Sequence, residues 1–499
     1  MCGESCPELH VPVTAPERES NMPIAHPHSL RFPTGAKPAR WGLLGILLLA
    51  IGWTLGCGQG ETSAAPHPPY PGKNLVLLTI DTLRADHLPA YGYPRPTSPN
   101  IDRLARDGTT FENAFAARGH TWPSLTTLLT ARYPRSTNVR GPKELLREGF
   151  PTTVELLESA GYQTRAFLTN FCEIGCGIFE NCQCAGDEKT IADAIRWLQQ
   201  REGEQPFFLW VHLLRPHLPY KPVARYDRFT NKNHAAKHGK VDGSRPAINA
   251  IYQRQHELSS EDLAYLNGLY DGEILWADAL LGRLLDALER RRLLDESLVV
   301  FSSDHGEDLY QHNKFFEHGC SIYDSSLQVP LIVRLPDGRR ADTRTSDVVG
   351  LIDLMPTLLD LLGVPKLSSF EGESFAPLLL DGTAKSFQGV ISEHYREQQG
   401  AELLSIRTQR WRYIYNPANA IPHCTPATNH YRIAEEELYD HENDRLETTN
   451  VVQSHRGVAD QLKRELLERY PIQQQRSPAL ETDDPETLER LKALGYIAE

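Results

Sequence analysis

Basic residues are in the minority in this chain: 52 lysines and arginines face 65 aspartates and glutamates, for a formal charge of −13. Nucleic-acid binding rests mainly on neutralising phosphates with Lys and Arg, so that class is excluded as the main function. Long apolar runs are also missing. The longest, Leu43 to Leu55, is broken by Gly45, Gly52 and Thr54 and is too short for a comfortable membrane span, which excludes a polytopic membrane protein. No repeat of solenoid length is present. A composition of 40% hydrophobic and 23% charged residues excludes disorder. What remains is a globular protein of 499 residues, enough for one large domain with an appendage or for two to three units.

The apolar run follows Arg31, Lys37 and Arg40. A basic stretch, a short greasy segment and small residues at its end describe a secretory signal, for which Met22 is the more ordinary start. The run ends at Leu55-Gly56-Cys57-Gly58, which resembles a bacterial lipoprotein processing site with Cys57 as the lipidated residue. A single uncleaved anchor helix is the alternative. The protein is therefore expected to be exported to the periplasm or cell envelope and held at a membrane through its amino end. Residues 1–57 are read as leader and 58–73 as a proline-rich linker carrying Pro66, Pro68, Pro69 and Pro71. Of nine cysteines, Cys172, Cys176, Cys182 and Cys184 crowd into one segment, which predicts one or two local disulfides in an oxidising compartment. Their C-x3-C-x5-C-x-C spacing puts a zinc knuckle behind that reading. Cys320 and Cys424 are left as free thiols or a pair.

Apolar runs at 74–80, 164–168, 207–213, 298–303 and 331–335 read as strands. Helices are expected at 100–106, from Trp122-Pro123 to about Thr130, and at 153–160, 190–200, 260–291 and 351–362. Strands alternating with helices predict an α/β fold with an open, mostly parallel sheet. The pattern changes after Gly389. Strands at 390–392, 411–415 and about 437–440 and a helix at 457–469 predict a small antiparallel subdomain, with a terminal helix from Asp484. The catalytic unit is read as 74–388 and the subdomain as 389–499.

In an open parallel sheet, ligands bind beyond the carboxyl ends of the strands. Three strands end there in chemistry-bearing residues: Asp81, then Pro216-His217-Leu218-Pro219, then Asp304-His305-Gly306-Glu307. Any one such aspartate is as well explained by a helix cap. Together, Asp81, Asp304 and His305 form a candidate site for one divalent cation. Two carboxylates and an imidazole favour zinc or manganese, with calcium or magnesium behind. Thr121, before Trp122-Pro123, stands at a helix N-terminus, where an anion is favoured. It is either a nucleophile activated by the cation or a plain cap. His217, stiffened by flanking prolines, and His318 are candidate contacts to an anionic substrate or its leaving group. His312 is a weaker candidate, and His212, inside an apolar strand, reads as a satisfied core histidine.

The stretches NLVLLTIDTLRAD from Asn74, TSPNIDRLARDGTTFENAFA from Thr97, TWPSLTTLLTARYP from Thr121, FFLWVHLLRPHLPY from Phe207, VVFSSDHGEDL from Val299, EHGCSIYDSSLQVPLIV from Glu317, LIDLMPTLLDLLGVP from Leu351 and ELYDHENDRLETTNV from Glu437 closely resemble the sulfatase family of the alkaline-phosphatase-like superfamily. The resemblance implies an α/β alkaline-phosphatase-like sandwich with a small C-terminal antiparallel subdomain, and an enzyme that hydrolyses ester bonds. It implies Asp81, Asp304 and His305 as metal ligands, Thr121 at the nucleophile position, and His217 and His318 as substrate or leaving-group contacts. There are departures. Arylsulfatases carry Cys or Ser followed by x-Pro-x-Arg here and oxidise it to formylglycine, whereas threonine has a β-methyl group and cannot become that aldehyde. Leu125 replaces the arginine, and Thr82 replaces a second aspartate. The Gly-Lys-Trp-His stretch is absent, which leaves Asn170 as a candidate substrate contact. A threonine nucleophile is also similar to the phosphoethanolamine and phosphoglycerol transferases of the superfamily. The expected function is thus a metal-dependent hydrolase of sulfate, phosphate or phosphonate esters, on a glycan or lipid headgroup. A headgroup transferase and a non-enzymatic glycan binder are the alternatives.

Overall fold

The apolar run Asn74–Ile80 forms strand β1 and is buried at every position. Continuous apolar sequence of this kind suits a strand covered on both faces. It lies in an eight-stranded sheet with Thr109–Phe115 (β2), Gln163–Leu168 (β3), Cys182–Cys184 (β4), Phe207–Leu213 (β5), Ser297–Ser303 (β6), Gln328–Arg334 (β7) and Thr343–Gly350 (β8). The order is β8-β2-β7-β6-β1-β5-β3-β4. Only β7 runs antiparallel to its neighbours. The helices Pro99–Arg106 (α1), Thr121–Thr130 (α2), Thr153–Ser159 (α3), Asp187–Gln200 (α4), Ser260–Arg290 (α5) and Leu354–Leu362 (α6) alternate with these strands. The computed structural model describes residues 68–472 apart from 170–171, 238–240, 253–257, 313–315, 320, 385–388, 397–400 and 420–432, with a few residues between 480 and 492. The leader, Cys57, most of the linker, Asn170, Cys320, Cys424 and most of the expected terminal helix lie outside the described residues.

Register positions the chemistry. Ile80 pairs with Leu213 on one side and with Ser303 on the other. Asp81 and Asp304 therefore leave the sheet side by side. One step back, Thr79 pairs with His212 and Ser302. Alternation along each strand then sends Thr79, Asp81, His212 and Asp304 to one face.

A second sheet begins at Val390. Val390–Arg396 (β9), Ala401–Arg407 (β10), Trp411–Tyr415 (β11) and Glu436–Asp440 (β12) are antiparallel in chain order, and Arg456–Arg469 (α7) packs over them. Leu404, Ile406, Tyr413, Leu438, Leu462, Leu466 and Tyr470 form their own core. Strand β9 also straps the main domain: the Ser392 hydroxyl donates to the Ala116 carbonyl at 2.7 Å, and the Glu393 N–H donates to the Ala117 carbonyl at 2.8 Å. Strands β2, β8 and β10 were not expected. Their sequences mix polar and apolar residues, and pairing partners far along the chain decide them. Among the clustered cysteines, Cys176 and Cys182 form a disulfide and Cys184 is disulfide-bonded as well, so the zinc-knuckle alternative gives way.

Candidate active site

Asp81 is fully buried, and neither of its carboxylate oxygens receives a hydrogen bond from a donor. Burial, with the neighbouring carboxylates of Asp304 and Glu307, pushes its carboxyl well above the usual range. Asp304 is oriented through Oδ1, which accepts the N–H groups of His305 at 2.8 Å and Thr82 at 3.2 Å. Its Oδ2 receives no hydrogen bond. Thr82 makes its contact from φ 56°, an uncommon conformation for a β-branched residue. The Tyr270 hydroxyl holds it there by donating to its carbonyl at 2.7 Å.

His305 Nδ1 donates to the Gly306 carbonyl at 2.8 Å, which directs Nε2 to the site. That nitrogen lies 3.4 Å from Asp304 Oδ2, 3.7 Å from Asp81 Oδ1 and 3.1 Å from Thr121 Oγ1. Thr121 is the first residue of α2, and His120 rather than Thr121 occupies the capping position. Gly306 is needed for a close approach, not for a turn: a Cβ there would lie 2.2 Å from the Ser325 carbonyl oxygen.

His212 is fully buried and its Nδ1 meets Thr79 Oγ1 at 2.9 Å. A ring nitrogen of His212 and carboxylate oxygens of Asp81 and Asp304 also lie within 4.8 Å of one another. The histidine thus borders the polar site as well as the core. Its strand reads as apolar, and only the register against Thr79 brings it to the site's face. Burial lowers its pKa.

Across from Thr121 lies a group of imidazoles. The His318 ring is 4.4 Å from that of His305 and 4.9 Å from that of His217. His120 lies 6.1 Å from His318. His217 Nδ1 donates to the Leu218 carbonyl at 2.7 Å, and His318 Nδ1 meets Glu307 Oε1 at 3.1 Å. Burial, with Arg245 nearby, lowers His217 to about 3. Burial, with the neighbouring His305 and His217, holds His318 well below its ordinary value. Arg245 is ion-paired to Glu317 beside them. His312 instead stacks on Tyr323 at 3.7 Å. Sequence reasoning also missed His120 and Arg245, for which no motif gave a signal.

Two neighbouring buried carboxylates with three oxygens that receive no hydrogen bond are unfavourable unless they share a proton or a cation. A divalent cation fits this cradle, since it neutralises both and takes the lone pair of a neutral imidazole. Asp81, Asp304 and His305 are the residues that would hold it.

Comparison with known proteins gives the fold and the family. The Sulfatase family model matches residues 73–364, and the N-sulphoglucosamine sulphohydrolase C-terminal model matches 312–471. Arylsulfatase K of Gallus gallus is 25% identical over 428 residues, covering 72% of this chain and 78% of that protein. The fold is similar to that of the phosphonate monoester hydrolase of Agrobacterium radiobacter, with a TM-score of 0.63 and 21% identity over 80% of this chain and 95% of that one. It is also similar to a protein solved in complex with its substrate D-glucosamine-2-N,6-O-disulfate, with a TM-score of 0.64 and 19% identity over 81% and 100% of the two chains. With the fold, the strand-end carboxylates and a family match over more than half its length, the chain belongs to the sulfatase family of ester-bond hydrolases.

Proposed function

We propose that the protein is a metal-dependent hydrolase of anionic esters in which Thr121 is the nucleophile. The observation that carries this reading is the approach of Thr121 Oγ1 to His305 Nε2 at 3.1 Å, with that nitrogen 3.4 and 3.7 Å from the two strand-end carboxylates. Asp81, Asp304 and His305 would hold a divalent cation, whose positive charge would favour an ionised hydroxyl and draw electron density from the ester. The N-terminus of the ten-residue helix α2 adds its dipole at the same place. Thr121 Oγ forms a bond to the central atom of the ester as the leaving oxygen departs. His217 and His318 are neutral imidazoles whose proton affinity a bound anion raises, so that one of them takes the proton that Thr121 loses and returns it to the leaving oxygen. Water then cleaves the ester formed on Thr121 and restores the hydroxyl.

Phosphate and phosphonate esters suit this site better than sulfate. A threonine ester can be released only by attack at its central atom, because the side chain carries no aldehyde hydrate. A glycan-borne ester is consistent with the disulfated glucosamine named for one structural neighbour. An oxidising, exported location is supported by the Cys176–Cys182 disulfide. The test is turnover of nitrophenyl phosphate, phosphodiester, phosphonate and sulfate esters with zinc or manganese and after chelation. Metal-dependent turnover that vanishes in Thr121→Ala is expected. An unchanged rate in Thr121→Ala removes the assignment, and transfer to an alcohol in place of water would make the protein a transferase.

A further inference from the structure

We infer that Glu273 is a positioning residue for His217, holding both ends of the loop 215–221 that carries this histidine. The inference rests on the proposed role of His217 at the leaving oxygen and names the device that keeps it in place.

Strand β5 ends at Leu213, and the chain passes at once into Leu214-Arg215-Pro216-His217-Leu218-Pro219-Tyr220-Lys221. The prolines limit the backbone inside this loop but do not fix where the loop sits over the sheet. Its ends must be held from outside. Glu273, on the 31-residue helix α5, does this with one carboxylate. Oε1 accepts the Lys221 N–H at 2.8 Å, after the histidine, and Oε2 lies 3.4 Å from Arg215 Nε, before it. Glu273 is buried, so water weakens neither interaction.

A second carboxylate supports the first. Asp187, which opens α4, accepts the Leu214 N–H at 2.9 Å through Oδ1, and its Oδ2 lies 3.3 Å from Arg215 Nε. The Arg215 guanidinium lies over the Trp276 ring, 3.6 Å from the centroid. Trp276 stands three residues beyond Glu273 on the same face of α5, so the helix grips Arg215 by charge and by an aromatic face together. Gly272 brings the helix against the end of the loop: a Cβ there would lie 2.8 Å from Pro222 Cγ. Between these anchors the His217 N–H donates to the Leu214 carbonyl at 3.0 Å, and its Nδ1 meets the Leu218 carbonyl at 2.7 Å. The ring takes its direction from the loop, so moving the loop moves the imidazole. A carboxylate accepts at both ends. Glutamine keeps one acceptor and turns an amide N–H donor towards the donor at the other end.

The test is steady-state kinetics of the metal-loaded full-length chain on a phenyl and a nitrophenyl ester of the same acid, phosphate first and sulfate if phosphate is not turned over. Nitrophenolate departs with little help, whereas phenolate needs a proton. In Glu273→Gln, kcat for the phenyl ester is expected to fall about 10²-fold further than kcat for the nitrophenyl ester, with KM changed less than about threefold. His217→Asn should show the same bias, and adding Glu273→Gln to it should increase that bias no further. Arg215→Met opens the other end of the bracket at a partly exposed side chain, and is expected to share the bias even if Glu273→Gln does not fold. A bias in His217→Asn that neither bracket variant shares overturns the inference and leaves the proposed function standing. So does a bias that Glu273→Gln adds afresh in the double variant. No bias in His217→Asn removes His217 from the leaving oxygen and the inference with it, while Thr121 is judged by its own variant. No turnover of any of these esters overturns both.

Discussion

Two buried clusters in this molecule have the same kinds of residue and opposite electrostatics. Asp81, His212 and Asp304 form one, and Asp324, His441 and Glu447 form the other. In the second, Arg412 Nε lies 2.7 Å from Asp324 and 2.9 Å from Glu447, and Arg407 reaches Asp324 at 3.2 Å. Burial alone would raise the Asp324 carboxyl, but Arg412 and Arg407 hold it below the usual range. In the first cluster no guanidinium reaches the carboxylates among the described residues, and Asp81 is pushed upward. The second cluster carries its own cations and joins β10 and β11 to the main domain. The first has no guanidinium partner among the described residues, which is what suits it to the proposed cation.

Four measurements would break or sharpen this contrast. Asp81→Asn should reduce metal-dependent turnover by more than about 10³-fold while the metal-free chain melts no lower than the wild type, because a carboxylate repulsion has gone. A fall in melting temperature would mean that Asp81 is satisfied in the metal-free fold. Asp324→Asn should do the reverse, lowering stability by roughly 3–5 kcal/mol in denaturant titration and leaving metal stoichiometry unchanged, since it strands two buried arginines. Loss of bound metal in that variant would merge the two clusters. Zinc at about 100 times its dissociation constant should stabilise the wild type and Asp324→Asn by roughly 2.7 kcal/mol, read by calorimetry, and should do nothing for Asp81→Asn.

Acid provides the smallest and most graded test. His120, His212, His217 and His318 are all lowered by burial. Below the unfolded value of 6.5, the unfolded chain binds protons that the folded chain does not, so stability falls as pH drops from 6.5 towards the folded value of about 3 for His217. Each such group contributes a slope of roughly 1.4 kcal/mol per pH unit. Replacing His217 with Asn should flatten the acid limb of metal-free stability by about that slope. An equal slope would show that the imidazole is charged in the folded state. Asp324 keeps its ion pairs through this window because its pKa is depressed.

Asp81, Asp304, His305 and Thr121 could be found from sequence because each stands where an apolar run stops or a helix starts, and strand ends are where an α/β sheet exposes its chemistry. His212 could not. Its neighbours in sequence are apolar, and its place beside Asp81 depends on pairing with a strand more than a hundred residues away. The Asp324–Arg412 pair spans 88 positions and carries no local pattern. Strand β2, reading TTFENAF, has too little alternation to declare itself and is fixed by β7 and β8 on either side.

The strap from Ser392 and Glu393 to Ala116 and Ala117 ties the small sheet to the segment that leads from β2 to Thr121. A shortened protein ending before Val390 would retain every proposed ligand and still leave the segment that delivers Thr121 without its backing. Local fraying of the segment between β2 and α2 would then cost turnover at temperatures where the rest of the molecule stays folded.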